Sequence, residues 1–403
     1  MKRILSTAAA LVILASPNSV RAQTVENVNG ARIVHNVKAG TLGKNLPFSI
    51  ELVRTLGDVD TLDENLAFNY PGDILADQSG NILVLDSANN RIQKFGPDGK
   101  FLATVGRRGQ GPGEFYNPDS FDLDAKGGLW VMDGYQNRIQ TFTPDGKGDK
   151  TIPLLDRLLR KLRLMQSGLL VVQAPLLYTS FNDKSKPLKL LKFLGPDGKT
   201  VRECVDPFDF GEPATTVMAN SMYYDLDPDD NPVVAFRAQN KVEKCSPDGK
   251  LLWRADRPLN YDMEIRKKGK FAERGSGNTR GGTISPPEMN VCTLGIAADA
   301  KGRIWVVTYD RQMKKEEQVQ TSMMMTSGRG GGGGTTVSQK TTGNTELRTT
   351  DAFKLEVFDK DGVLLGEIPL THFVDRIRIC GDNLFLLDQV RGVTFYQYKI
   401  VEK

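Results

Sequence analysis

Ile74-Leu75-Ala76-Asp77-Gln78-Ser79-Gly80-Asn81-Ile82-Leu83-Val84-Leu85 is a pair of short apolar runs around a glycine turn. Arg91-Ile92-Gln93-Lys94-Phe95-Gly96-Pro97-Asp98-Gly99-Lys100-Phe101-Leu102-Ala103-Thr104-Val105 is a second pair around a Pro-Asp-Gly-Lys turn. Short runs rich in β-branched and aromatic residues, bounded by glycine, are strands and not helices. In the tight turns proline presets φ, and Asp-Gly tolerates the positive φ of a hairpin. Residues 74–105 therefore form one four-stranded antiparallel unit.

The unit repeats. The second turn returns as Pro144-Asp145-Gly146-Lys147, Pro196-Asp197-Gly198-Lys199 and Pro247-Asp248-Gly249-Lys250, with a weaker copy at Lys360-Asp361-Gly362. The first turn returns as Asp124-Ala125-Lys126-Gly127-Gly128 and Asp299-Ala300-Lys301-Gly302-Arg303, and more loosely at Gln166-Ser167-Gly168, Asp227–Asn231 and Cys380–Asn383. Four strands per unit at this spacing predict propeller blades. Six units begin near Pro71, Pro118, Lys161, Met222, Cys292 and Phe373. The last runs out of chain one strand short. Phe48-Ser49-Ile50-Glu51-Leu52-Val53-Arg54 is a strand without a local partner, and lending it to the last unit removes an open sheet edge. The expected fold is all-β: a six-bladed β-propeller of four-stranded antiparallel blades spanning residues 46–403, its ring closed by this N-terminal strand. Leu154–Leu164 reads as the one amphipathic-helix candidate, or else as a link between blades.

Leu85-Asp86-Ser87-Ala88-Asn89-Asn90-Arg91-Ile92-Gln93-Lys94-Phe95 and Met132-Asp133-Gly134-Tyr135-Gln136-Asn137-Arg138-Ile139-Gln140-Thr141-Phe142 resemble NHL repeats, as does the link Val105-Gly106-Arg107-Arg108-Gly109-Gln110-Gly111-Pro112-Gly113-Glu114-Phe115. The whole chain resembles exported bacterial six-bladed propellers of the NHL and TolB-like type. That resemblance implies a range of functions: receptor-like binding domains, RNA readers, a zinc lyase and metal-dependent lactonases. The lyase resemblance implies a three-histidine zinc site, and this chain has only His35 and His372.

Residues 1–22 have the layout of a secretory signal: Lys2 and Arg3, an apolar run from Ile4 to Ala15, Pro17, then Val20-Arg21-Ala22. The apolar run is shorter than the roughly 20 residues needed to span a bilayer. The expected destination is periplasmic or secreted. Losing Lys2, Arg3 and Arg21 takes the formal charge of +4 down to +1. Such a balanced chain carries no electrostatic footprint for nucleic acid. Among Cys204, Cys245, Cys292 and Cys380, a 204–245 bond joins neighbouring outer strands, whereas 292–380 joins the start of one inner strand to the end of another.

In such a ring one face collects the links into the inner strands and the loops between second and third strands. Asp73, Asp86, Asp119, Asp133, Tyr135, Tyr309, Asp310, Arg311, Asp388 and Arg391 fall there, with Arg237 and Asn240. Asp86 with Arg91, and Asp133 with Arg138, recur at one spacing, either as ligand anchors or as loop-closing pairs. His372 beside Phe373-Val374 reads as structural, and no catalytic constellation emerges. A lead-in of residues 23–45 precedes the ring. Residues 257–291 read as a long inter-blade loop carrying the basic residues Arg266, Lys267, Lys268, Lys270, Arg274 and Arg280. Residues 312–350, with Met323-Met324-Met325 and Gly330–Gly334, read as a disordered insert in the fifth blade. The expected function is a monomeric, non-enzymatic scaffold that binds a protein, peptide or glycan on this face and needs no cofactor. The alternative is a metal-dependent hydrolase, lactonase or lyase-like enzyme whose carboxylates hold a divalent cation on the central axis.

Overall fold

The computed structural model describes residues 23–37, 40, 42, 45–177, 188–274, 281–327 and 335–403. The leader assigned to residues 1–22 lies outside the described residues. Six antiparallel sheets form a six-bladed β-propeller. Blade 1 is Asp73–Ala76, Ile82–Asp86, Arg91–Phe95 and Phe101–Val105. Blade 2 is Ser120–Leu123, Leu129–Asp133, Arg138–Phe142 and Gly148–Pro153. Blade 3 is Arg160–Leu164, Leu170–Gln173, Leu191–Leu194 and Thr200–Cys204. Blade 4 is built on Met222–Leu226, Pro232–Phe236, Val242–Cys245 and Leu251–Asp256. Blade 5 is Thr293–Ala298, Ile304–Tyr309, Phe353–Phe358 and Leu364–Pro369. Blade 6 takes Arg376–Cys380, Asn383–Asp388 and Thr394–Glu402 from the C-terminus and Phe48–Leu56 from the N-terminus, with Phe48 opposite Glu402 and Leu56 opposite Phe395.

The core is divided into six apolar clusters, one at each seam between neighbouring blades. Strand alternation feeds two seams at once. Leu83 and Leu85 pack toward blade 2, while Ile82 and Val84 pack toward blade 6. This explains why the second strand of each blade is a continuous apolar run: both of its sides are interior.

Three sequence expectations change. The lead-in is part of blade 4: Gln23–Val28 and Ala31–Asn36 form a hairpin whose second strand pairs in parallel with Leu251–Asp256, making a six-stranded sheet. Val34 is fully buried at the blade 4–5 seam. Asn36 is buried too. Its amide donates to the carbonyls of Asp256 (2.8 Å) and Gly362 (3.2 Å), and its carbonyl accepts from the Leu364 N–H (2.9 Å). The segment at 154–164 is a link followed by the inner strand of blade 3, because only Leu162 and its neighbours need burial and the seam accepts period two.

The third change concerns the two interruptions. Residues 257–291 contain two short antiparallel pairs, Ile265–Lys267 with Glu288–Met289 and Lys270–Arg274 with Gly281–Ser285. Arg280 lies outside the described residues. In the insert, Val319–Ser327 pairs with Thr335–Gly343 as a nine-residue hairpin, so the insert is not disordered throughout; Gly330–Gly334 lie outside the described residues. The β-branched Thr and Val residues of these runs suit a ladder. The base of the insert is pinned. The Glu317 carboxylate receives both terminal nitrogens of Arg311 at 2.7 Å, the Lys314 N–H at 2.8 Å and the Thr350 hydroxyl at 2.8 Å.

Candidate functional site

The two faces of the ring differ in length of connection. One carries only the tight turns. The other, the loop face, carries every link between blades, the helix Pro213–Ala219, the 257–291 pairs and the insert. A recess of about 1080 Å³ lies among the tight turns of blades 1–3. Its acids are already committed. Asp77 accepts from the Ser79 and Asn81 N–H groups, and Asp124 from those of Lys126 and Gly128. The loop face is the better recognition surface.

The inner strands line the axis, and their alternation aims Lys161 and Arg163, Tyr223 and Asp225, and Arg376 and Arg378 at it. Deep in the channel these charges are paired across the ring. Arg163 bonds Asp73 at 3.1 Å and Asp225 at 3.0 Å. Arg378 bonds Asp122 at 2.8 Å and lies 3.7 Å from Asp225. Five blades thus meet in one buried lattice of two guanidinium groups and three carboxylates. Burial alone would raise Asp73, but Arg163 and Arg378 more than offset it and hold the carboxyl below its ordinary value. Among the described residues no group of three or more His, Cys, Asp or Glu is placed to hold a metal ion. The carboxylates that the alternative reading needs on the axis are present, but arginine engages them.

At the channel mouth the pattern breaks. Lys161 and Arg376 line a cavity of about 40 Å³ with Asp73, Arg163 and Tyr223, and neither has an ion-pair partner among the described residues. Burial, reinforced by Arg376, brings Lys161 down to about 7. Its backbone sits at φ 55°, in the bulge where the Arg160–Leu162 register shifts. A bulge re-aims a side chain. Burial raises Asp119, near Lys161, and raises Asp375 to about 6 with help from Asp388.

Beside the mouth, between blades 6, 1 and 2, lies a recess of about 570 Å³, within the size range of small-ligand sites. Phe68, Tyr70 and Tyr116 give it aromatic walls; Asn69, Asn117 and Arg108 give it polar groups; Thr341 of the insert hairpin reaches its rim. The side-chain amides of Asn69 and Asn117 and the Tyr70 hydroxyl hold no hydrogen bond among the described residues. Tyr70 (φ 50°), Asn90 (58°), Asn117 (57°) and Val393 (50°) all line it in the left-handed region. Asparagine tolerates that region, but tyrosine and valine are strained there, and such strain gathers at binding sites.

The residues expected from sequence divide into two groups. Asp73 and Asp119 flank the mouth, as does Arg237, whose charge acts on Tyr223 and Tyr309. Tyr135 lies under the Arg160 guanidinium, 5.1 Å away. The others are structural. Asp86 receives Asn69 N–H (2.7 Å), Asn89 (2.8 Å) and Arg91 (2.8 Å), and Arg91 reaches the Glu64 carbonyl (2.7 Å). Asp133 and Arg138 repeat this clamp against Tyr116, Gln110 and Glu114. Burial still raises Asp133 to about 6. Asp388 holds the Arg391 and Gly392 N–H groups. Arg391 stacks on Phe373 and donates to the Glu317 carbonyl, while Arg311 is spent on Glu317 and Asp351. Tyr309 is buried against Phe353. Asp310 pairs with Lys354, and Asn240 donates to the Arg257 carbonyl.

His372 stacks on Tyr396 and hydrogen-bonds Tyr398 at 2.8 Å, and burial lowers its pKa. His35 pairs with Asp256 at 2.5 Å, which raises it. The four cysteines are free thiols. The Cys204 thiol, with burial, holds Cys245 far above its usual range, so Cys245 is not an activated nucleophile.

No curated protein matches the chain. Residues 58–161 match the model of the DUF5128 family, described as a 6-bladed beta-propeller. Among solved structures, a member of the DUF4221 family from Bacteroides vulgatus is similar at 10% identity and TM-score 0.55, covering 88% of this chain and 99% of its own. A protein of unknown function from Bacteroides thetaiotaomicron is 13% identical, with TM-score 0.49 and coverage of 88% and 76%. The virginiamycin B lyase of Staphylococcus aureus is 11% identical, with TM-score 0.45 and coverage of 88% and 100%. At such identities the likeness is one of fold, and the fold alone: a six-bladed propeller.

Proposed function

We propose that the chain is an exported, NHL-like binding propeller that acts as a monomer and holds a protein, peptide or glycan ligand on its loop face, without catalysis. The observation that carries this is the axis. Asp73, Asp122 and Asp225 are each held by Arg163 or Arg378, so the position where a propeller enzyme would seat a cation is filled by guanidinium groups. Recognition falls to the strained aromatic recess, where the Asn69 and Asn117 amides and the Tyr70 hydroxyl hold no hydrogen bond among the described residues, and to the mouth beside it.

The test combines metal analysis of the purified mature protein with glycan and peptide arrays and an ester and lactone hydrolysis panel. The expected result is saturable binding that Tyr70→Ala or Asn69→Ala abolishes without lowering the melting temperature, and no divalent ion in stoichiometric amount. A stoichiometric divalent ion whose removal abolishes hydrolysis would replace this reading with the enzymatic one.

A further inference from the structure

We propose that the channel mouth is an oxyanion site, in which Lys161 of blade 3 and Arg376 of blade 6 grip a carboxylate, phosphate or sulfate group of the loop-face ligand. This rests on the binding reading above and names the chemistry of one end of that ligand.

The pairing of charges changes along the axis. Two residues down each strand, Arg163 and Arg378 are ion-paired with three carboxylates. At the mouth, Lys161 and Arg376 line one cavity and no acid pairs with either among the described residues. Partly buried cations left unpaired are costly unless something outside the chain meets them. Lys161 is also held there deliberately. It sits in the left-handed region within a bulge, its N–H donates to Asp119 (3.3 Å), and the Tyr224 hydroxyl caps its carbonyl. A lysine needed only for solubility would not be fixed in this way.

The cavity of about 40 Å³ is several times the roughly 10–15 Å³ that a single water requires. It suits the few atoms of a single acid group entering from the loop face. Arginine presents a planar fork to such a group and lysine a point charge. The surroundings of Lys161 are mixed: Arg376 and Arg163 oppose its charge, Asp73 and Asp119 favour it, and Tyr223 of blade 4 faces the same space. An oxyanion between Lys161 and Arg376 screens their repulsion, so binding draws a proton onto Lys161 above neutral pH.

The test is calorimetric titration of the full mature chain with sulfate, inorganic phosphate and glucuronate at constant ionic strength in chloride, with glucose as the neutral control. The expected result is saturable binding of oxyanions and none of glucose. Lys161→Met and Arg376→Met should each weaken sulfate binding at least tenfold, with Arg376→Lys between them and the wild type. Sulfate affinity should fall as pH rises above about 7, with proton uptake seen as a buffer-dependent heat. The ranking of the three anions tells which acid group the site prefers. If a Met variant fails to fold, Lys161→Gln and Arg376→Lys carry the comparison. No saturable binding of any of the three, or affinities unchanged in folded Lys161 and Arg376 variants, overturns the site. A neutral glycan or peptide bound to the loop face equally well by these variants would overturn it while leaving the binding reading intact. Oxyanion binding alongside stoichiometric metal and hydrolysis would do the reverse.

Discussion

Replacing Arg163 by Met keeps most of the side-chain length and removes the cation that Asp73 and Asp225 share. Arg163 lies 3.1 Å from one and 3.0 Å from the other, and all three are nearly buried. Removing one partner of a buried ion pair costs about 3–5 kcal/mol, because the remaining charge is stranded. The larger share of that loss is expected at Asp73, whose one ion pair among the described residues is with Arg163, while Arg378 and Lys161 act on it from further off. Asp225 keeps Arg378 at 3.7 Å. The loss should also depend on pH. In the wild type the Asp73 pKa lies below its ordinary value, so its contribution is complete above about pH 4 and fades as pH falls through the folded value. Without Arg163, burial dominates and the folded pKa rises above the unfolded one. The stranded carboxylate then destabilises most at high pH and is relieved by protonation. Urea unfolding at pH 5 and pH 8 should show the variant closer to wild type at pH 5, by about 1.4 kcal/mol for each unit by which the folded pKa exceeds 5. Adding Asp225→Asn should recover part of the loss. A penalty below about 1 kcal/mol, equal at both pH values, would refute the view that the axis is a cross-ring charge lattice.

Asn36→Ala removes three hydrogen bonds, two of them buried, between the lead-in strand and blades 4 and 5. A loss of about 2–4 kcal/mol in denaturant unfolding is expected. Deleting Phe48–Leu56 should prevent a cooperative melt by circular dichroism, because blade 6 would lose its outer strand. Deleting residues 319–343 should change stability by less than about 0.5 kcal/mol, whereas Glu317→Gln should cost about 1.5–3 kcal/mol by loosening the insert's base. Hydrogen bonds from Arg311 bring Glu317 down to about 2. Its contribution is therefore full above about pH 4.3 and drains as pH falls toward 2, and the gap between variant and wild type should close over that window.

The blades were legible because their turns carry backbone requirements that few residues meet. Gly99, Gly146, Gly198 and Gly249 all sit at φ of 80–86° in the structure, so the repeat of Pro-Asp-Gly-Lys was a repeat of geometry. The Asp–Arg clamps were legible as pairs, but not in purpose, because the same spacing serves a ligand and a loop equally well. Lys161 was hidden by its neighbours: Leu154, Leu159 and Leu162 suggested an apolar helix face, and a bulge leaves no mark in sequence. Arg376 occupies the first position of an inner strand, equivalent to Asp73, so aligning the blades by that position would have found it. The lateral recess was beyond such reasoning, since Tyr70, Tyr116 and Val393 come from three connections of unrelated sequence.

The pairing of residues 23–56 has a consequence for how the molecule is made. These residues are made well before their partners, Leu251–Asp256 for the hairpin and Thr394–Glu402 for Phe48–Leu56. Phe48–Leu56 must therefore wait for its blade until Thr394–Glu402 has been made. Contacts of such sequence separation slow folding and keep sticky strands exposed meanwhile. Blades 1 to 3 can form as they emerge, but the circle is completed in a single late event that fastens beginning to end. The finished ring thereby tests its own synthesis: a chain that stops short leaves its first strands without a place to dock.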